Sequence, residues 1–215
     1  MPDSTKITTK KPPYKESIGA QYYNFNNPGE GKDFDVSSYE EKTTKTETVK
    51  SVTVTENSET VPIYASGKVY STENQLAYID IAVESIASDA DDLAKMRGDI
   101  VKTNGLIQTQ TSAKKPFFAY GKVVHLSGGN VRYDWYPKCQ LIENSDEAKT
   151  RGENFEEQNE NLTIRAYAFD SEGKIFKNSI DSSSSKFPTG VTEEMFFSAP
   201  IITDEDLTSI IPEGA

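Results

Sequence analysis

The sequence predicts a mainly β protein: a β-sandwich or open barrel with one short flanking α-helix, a long loop and extended terminal arms. Eleven Tyr, ten Phe and one Trp against three Met favour strands, because aromatic side chains fit a pleated surface. Several segments alternate apolar and polar residues with a period of two, which is typical of half-buried strands. These segments predict seven or more strands around one core.

The first half of the chain is predicted to contain an arm, a loop and up to four strands. Residues 1–13 are polar without periodicity and predict a flexible arm. Residues 14–25 are aromatic and predict either a first strand or a docking segment, while 26–35 predict a turn-rich loop. Further strands are predicted over residues 43–55, 61–70 and 75–86.

Residues 88–97 predict the central helix. Ser88 or Asp89 can cap its N-terminus, and Asp91 and Asp92 lie in the first turn, where the helix dipole favours negative charge. Gly98 follows as a C-terminal stop. The position of these acids is explained by the helix, so they do not indicate a calcium site, which would also need a Gly turn and a distal Glu.

The second half is dominated by a predicted hairpin. Two aromatic and β-branched segments, 117–125 and 131–141, flank the sequence SGGN at 127–130, whose glycines supply the positive φ of a hairpin turn. Alternation then predicts a strand over residues 161–169. A short strand at 174–178, a low-complexity loop at 181–186 and a capped helical turn at 203–210 complete the prediction.

The net charge of −11 is concentrated in two stretches, residues 140–160 and 187–215, which together account for all of it. The first fifteen residues carry four Lys against one Asp. Apart from that short arm, no basic patch indicates nucleic-acid binding. The predicted division is an N-terminal arm and polar loop region over 1–40, a β-sandwich domain over 41–180 and an acidic C-terminal arm over 181–215.

No combination of residues predicts catalysis. His125 is the only histidine and lies in a predicted strand, and Cys139 is the only cysteine, so no disulfide framework or thiolate metal cluster is expected. The sequence GEGK at 29–32 lacks the first Gly and the Ser or Thr of a phosphate-binding loop. The acids of 153–160 include pairs of carboxylates such as glycoside hydrolysis uses, but any acidic protein offers such pairs. The sequence therefore predicts a protein that is not an enzyme, without a cofactor or metal.

Targeting signals are also lacking from the sequence. No apolar run approaches the roughly 18 residues that cross a bilayer, so membrane insertion is not expected. Residues 1–15 have no apolar region typical of a signal peptide. We expect synthesis in the cytoplasm.

With the hairpin placed, the order of four segments resembles a known family. These are VPIYASGKVY, QLAYIDIAVESIASDADDLAKMRGD, KPFFAYGKVVHLSGGNVRYDWYPKCQL and ENLTIRAYAF, which together span roughly residues 60–170. They resemble the major tail proteins, or tail tube proteins, of long non-contractile-tailed bacteriophages (siphophages) of Gram-positive bacteria. The chain departs from the family pattern at residues 6–40, which are longer and less hydrophobic.

The resemblance implies a structural virion protein with the phage tail tube fold. It implies hexameric rings that stack into a tube, through which the genome passes into the host without specific DNA binding. The implied partners are further copies of the chain, a tape measure protein inside the lumen, and tail terminator and distal tail proteins at the ends. The implied location is the virion tail, after assembly in the host cytoplasm.

Two groups of charged residues are candidates for this role. A lumen rich in carboxylates would repel the duplex and let it slide, so Glu153, Glu156, Glu157 and Glu160 are expected to face the channel. The opposite charges of the termini suggest head-to-tail contact between rings. The candidate inter-ring residues are Lys6, Lys10, Lys11, Lys15, Asp204, Glu205 and Asp206.

Two alternative functions remain open from the sequence. One is a β-sandwich binding module for carbohydrate or cell-surface recognition, with Tyr133, Trp135 and Tyr136 as stacking residues. On a strand, Tyr133 and Trp135 share one face and Tyr136 lies opposite, so at most two can stack together. The other is the tube protein of a contractile injection system, which the sequence does not separate from the first hypothesis.

Overall fold

A computed structural model describes residues 9–111, 113–150 and 158–212. Within these residues the chain forms ten strands and three short helices. The strands are β1 (Lys15–Phe25), β2 (Thr44–Thr46), β3 (Val49–Ala65), β4 (Lys68–Ser85), β5 (Ile100–Val101), β6 (Ile107–Gln108), β7 (Phe118–Leu126), β8 (Asn130–Asp146), β9 (Glu160–Ala166) and β10 (Asn178–Asp181). The helices are α1 (Ala90–Arg97), α2 (Glu193–Phe196) and α3 (Asp204–Ser209).

Eight of the ten described strands belong to one antiparallel sheet. Its order is β2-β1-β7-β8-β9-β4-β3, with β10 paired to β8, while β5 and β6 pair only with each other. The predicted mainly β character is therefore confirmed. A two-sheet β-sandwich is not confirmed, because the main strands share a single sheet.

The sheet curls around its main core. One buried cluster contains side chains of β1, β4 and the strands between them. Cα atoms of β1 and β3 also lie within 8 Å of each other, although four strands separate β1 from β3 in the sheet. Such contact requires the sheet to bend back on itself. The cluster contains Tyr23, Phe25, Ile79, Ile81, Val83, Met96, Phe118, Tyr120, Tyr136, Cys139, Leu141, Leu162, Ile164, Ala166 and Phe176.

A second buried cluster covers the other face of β1, β7 and β8. It joins side chains of these strands to the C-terminal segment, and consists of Ala20, Tyr22, Ala119, Val123, Tyr133, Trp135, Val191, Phe196, Phe197 and Ile201. The Trp135 indole donates a hydrogen bond to the Phe196 carbonyl at 3.0 Å. The C-terminal segment is thus bound to the sheet through burial of large aromatic rings.

Both predicted arms contain core residues. Residues 15–25, which were assigned to the N-terminal region, form β1 between β2 and β7. They are therefore a first strand and not a docking segment. In the segment expected as a C-terminal arm, Phe196, Phe197 and Ile201 are buried. The described part of residues 181–212 is therefore packed on the sheet instead of extending away from it. Acidic composition concealed the apolar residues of this segment.

The predicted helix is confirmed as α1, with Asp89 as its cap. The Asp89 carboxylate accepts hydrogen bonds from the backbone N–H groups of Asp91 and Asp92 at 3.0 and 3.1 Å. Met96 belongs to the main core cluster and Leu93, one turn before it, packs against that cluster, so the helix contacts the sheet through this side. The predicted turn at 203–210 is also confirmed, as α3 with Thr203 as its cap. Helix α2 was not predicted.

The predicted hairpin is confirmed by β7 and β8. The predicted strand over 61–70 is wrong, because the chain reverses within it. Ser66 and Gly67 have φ of 51° and 74°, the left-handed conformation of a tight turn, and β3 pairs with β4 from Ala65 and Lys68 back to Val49 and Ser85. Alternation continued through the turn and concealed it.

Replacing Gly98 by Ala is expected to destabilise the end of α1. Gly98 has φ of 72°, which costs a non-glycine residue about 1–2 kcal/mol. A Cβ there would also lie 2.7 Å from the Lys114 carbonyl oxygen. Gly105→Ala is the control, because Gly105 has φ of 84° but open space around it. Urea unfolding should show the larger loss for Gly98→Ala, and equal losses would contradict the close contact with Lys114.

Candidate functional site

The most prominent surface feature is a projecting hairpin formed by the outer parts of β3 and β4. On its other side, β4 pairs with β9 only over Ile79–Ser85. Beyond that point, residues 57–76 pair only within the hairpin. Nine residues of strand, from 57 to 65, extend about 30 Å. The hairpin thus reaches well beyond the packed part of the sheet.

The tip of this hairpin is apolar and exposed. Its large hydrophobic side chains keep much of their surface in solvent: Val61 48%, Ile63 41%, Tyr64 68%, Val69 55% and Tyr70 80%. Tyr70 is the extra residue of a bulge, since Ile63 pairs with Ser71 and Tyr64 with Val69. Val61 and Ile63 lie on one face of the hairpin and the Tyr64–Val69 pair on the other, so apolar side chains are exposed on both faces. An isolated two-stranded hairpin is only marginally stable in water, and exposed apolar surface marks interaction sites. These five side chains, called the hairpin tip below, are the candidate contact site.

A second exposed apolar segment lies in the loop after α1. Ile100 and Val101 form β5, Leu106 precedes β6, and Ile107 is the first residue of β6. Their exposed fractions are 39%, 49%, 53% and 38%. This small hairpin is separate from the main sheet, so its apolar side chains have no strand neighbours beyond the pair itself.

Most of the predicted lumen residues lie outside the described residues. These are Glu153, Glu156 and Glu157. Glu160 begins β9, where it pairs with Asp146 on one side and Ser85 on the other. Its Oε2 is buried without a hydrogen-bond partner in the described chain. The expectation that these acids face a channel stays a prediction.

The predicted inter-ring residues that the structure describes lie at the surface or, in one case, accept local hydrogen bonds. Lys6 lies outside the described residues, Lys10 and Lys11 are exposed, and Lys15 begins β1 opposite Leu126. In α3, Asp204 and Glu205 are exposed.

Asp206 has a structural role instead. Its carboxylate accepts hydrogen bonds from the backbone N–H groups of Ile202 and Thr203 at 3.0 and 2.8 Å, closing a capping box. No contact within the described chain joins the basic and acidic groups. A contact between copies therefore stays a prediction, and it involves Asp204 and Glu205 more readily than Asp206.

His125 and Cys139, which the sequence analysis considered for catalysis, lie in strands β7 and β8. His125 is half-buried in β7, opposite Ser17 and Val131. Cys139 is completely buried, and burial raises the pKa of its thiol far above the usual range, which disfavours the reactive thiolate. Among the described residues, no group of three or more His, Cys, Asp or Glu side chains could hold a metal ion. Nor is any described helix long and apolar enough to cross a bilayer.

The proposed aromatic platform of a binding module is not at the surface. Trp135 is 0% exposed, Tyr136 1% and Tyr133 6%. The prediction that Tyr133 and Tyr136 lie on opposite faces of β8 is confirmed, since they belong to the two different core clusters. Buried rings cannot stack on a sugar, so this version of the binding-module hypothesis is wrong.

Sequence reasoning missed the hairpin tip and the C-terminal aromatic pair. The dipeptide Ser66-Gly67 was the available signal for the turn. Phe196 and Phe197 stand out as adjacent aromatic residues in an otherwise acidic segment. Neither signal shows by itself which face of the sheet is covered.

Comparison with known proteins adds no assignment. No protein-family model matches the chain, and a search of curated proteins finds no match.

Proposed function

We propose that this protein is a structural subunit that assembles with copies of itself into stacked rings, forming the tail tube of a siphophage and the conduit for its genome. The proposal combines the sequence resemblance over residues 60–170 with one structural observation, the exposed hairpin tip. A projecting apolar hairpin is a suitable element for reaching a neighbouring subunit. The mainly β, antiparallel architecture is compatible with the same role.

The hairpin tip is the observation that carries the proposal. Five large apolar side chains occupy it, while the described strands around it supply no covering surface. Burying such side chains stabilises a contact by on the order of 1–2 kcal/mol each. A tip that binds a different surface of another copy makes a heterologous contact. Such contacts propagate into rings or filaments.

The edges of the sheet support the same conclusion. Strand β3 is the last strand at one end of the sheet and has β4 as its strand neighbour. Long edge strands invite pairing with another chain unless charge or cover prevents it. A subunit that assembles with its neighbours can use an edge strand for that contact, whereas a monomer has to prevent such pairing.

The charge distribution is consistent with a conduit. The chain carries a net charge of −11. A tube with this surplus on its inner wall repels phosphate and does not hold the duplex. In our proposal Glu153, Glu156, Glu157 and Glu160 contribute to that wall. The inner surface of a ring structure is the direct test of this assignment.

Adding charge to the hairpin tip is expected to abolish assembly. We expect the concentrated wild-type protein to form rings or striated tubes under negative-stain electron microscopy. In Tyr64→Asp/Tyr70→Asp, two exposed apolar side chains become carboxylates, which must be desolvated before the tip can be buried. We expect monomers by sedimentation, at an unchanged melting temperature, because both residues lie outside the core.

Thr72→Asp is the matched control for this experiment. Thr72 is exposed and lies in the same hairpin, opposite Pro62, so the change adds charge without removing apolar surface. We expect this variant to retain most of its assembly. Wild-type protein that stays monomeric at every concentration, or a double variant that assembles normally, would count against the proposal.

A further inference from the structure

One end of the curled sheet contains a basic cavity in an otherwise acidic protein. The cavity has a volume of about 630 Å³ and opens between β1, β3, β7 and β8. Small-molecule sites typically measure about 300–1,000 Å³. Five cationic side chains line it, against two carboxylates: Lys15, Lys50, Lys122, Arg132 and Lys177, with Glu16 and Glu56. In a chain with a net charge of −11, such a local excess of positive charge indicates a specific use.

The wall of the cavity contains a buried ion pair. Lys122 Nζ lies 2.7 Å from Asp134 Oδ2, and their side chains are 5% and 1% exposed. The Ser179 hydroxyl donates to Asp134 Oδ1 at 2.5 Å, and Arg132 Nε lies 3.3 Å from Oδ2. One carboxylate therefore faces both Lys122 and Arg132. Although burial by itself raises the pKa of Asp134, these two cations and the Ser179 bond hold it below its ordinary value.

The positive charges around this pair are incompletely compensated. Arg132 Nε contacts the Asp134 carboxylate at an ion-pair distance of 3.3 Å but makes no hydrogen bond among the described residues. Burial lowers the pKa of Lys122, the Asp134 carboxylate opposes this shift, and repulsion from Arg132 and Lys177 adds to it. Lys15 and Lys177 have no carboxylate within ion-pair distance among the described residues. A bound anion would relieve this repulsion and pair with Lys15 and Lys177.

We propose that this cavity binds a small multivalent oxyanion of the pyrophosphate or tricarboxylate class. The Arg132 guanidinium is positioned to bind one oxyanion group, since its planar donors match such groups, and the Lys15 and Lys177 ammonium groups bind another. Val52, Val54 and Val124 form the apolar part of the lining and suit the carbon atoms of an organic anion. This function is independent of assembly through the hairpin tip.

Titration with pyrophosphate and with citrate tests the proposal. We expect calorimetry at low salt to show saturable binding of at least one anion, with one site per chain. Arg132→Gln and Lys177→Gln should each weaken that binding at least tenfold. Lys177 is an exposed residue, so its variant keeps the test valid if loss of Arg132 disturbs the buried pair.

Lys114→Gln is the matched control, because Lys114 is a 74% exposed lysine outside the cavity. We expect it to bind as the wild type does. Binding of neither anion would overturn the proposal, as would equal binding by all variants, which indicates general charge attraction. Loss of self-association in Lys177→Gln without anion binding would assign the cavity to carboxylates of a second copy and would also overturn it.

Discussion

Raising the pH from about 9 to about 11 is expected to unfold this protein or leave it marginally stable. Four tyrosines, Tyr23, Tyr39, Tyr120 and Tyr136, have pKa values raised well above 10. Burial is the main cause for all four, because the phenolate cannot be solvated in the core. Burial raises the pKa of the Cys139 thiol in the same way.

The direction of the effect follows from proton binding in the two states. In the unfolded chain these tyrosines lose their protons near the ordinary pKa of 10.0, while the folded protein keeps them. Their contribution to stability is therefore complete below pH 10 and is lost as the pH rises toward the folded pKa. At pH 11 each tyrosine costs about 1.4 kcal/mol, and four cost about 6 kcal/mol. Total stabilities of single domains are about 5–15 kcal/mol.

Urea unfolding at pH 7, 9 and 11 measures this loss, and tyrosinate absorbance reports when the rings become ionised. Tyr120→Phe is the matched variant, since it keeps the ring and removes only the ionisable group, whose bond to Gln21 is long at 3.4 Å. The loss between pH 9 and 11 should shrink by about 1.4 kcal/mol in this variant. A protein that stays folded at pH 11 with all eleven of its tyrosines ionised would show that these four rings are accessible.

Truncating Phe197 is expected to cost about 3–5 kcal/mol of stability. Its ring is 2% exposed and stacks on Tyr22 with centroids 4.0 Å apart and an interplanar angle of 2°. It also contacts Tyr133 and Trp135, at centroid distances of 5.6 and 5.2 Å. Gly121 allows this approach, because a Cβ there would lie 2.7 Å from the Phe197 ring. Phe197→Ala therefore leaves a cavity between the C-terminal segment and the sheet.

Chemical unfolding of Phe197→Ala measures this cost. Tyr14→Ala is the control, since it removes a comparable aromatic ring that is 70% exposed. We expect that change to stay within about 0.5 kcal/mol of the wild type. Proteolysis adds a second readout, because weaker packing should expose the C-terminal segment to cleavage. If both variants were equally stable, the segment would be an arm after all, as its composition suggested.

Elements whose signals lie close together in the chain were predicted correctly. Helix α1 was predictable because its caps and first-turn acids are local signals, and Asp89 and Gly98 lie within one turn of its ends. The β7–β8 hairpin was predictable for a similar reason, since its turn and both strands are adjacent in sequence. Alternation also identified β9 through its buried residues Leu162, Ile164 and Ala166.

Which surfaces are covered could not be predicted, because the covering residues are distant in the chain. The hairpin tip alternates much as the buried part of β4 does, yet no described strand other than β3 pairs with β4 beyond Ile79, so Tyr64 and Tyr70 stay exposed. Phe196 and Phe197 are instead buried, although their segment is acidic, because they pack against apolar side chains of β1 and β8. Burial depends on contacts between residues far apart in the chain, and local composition and period do not contain that information.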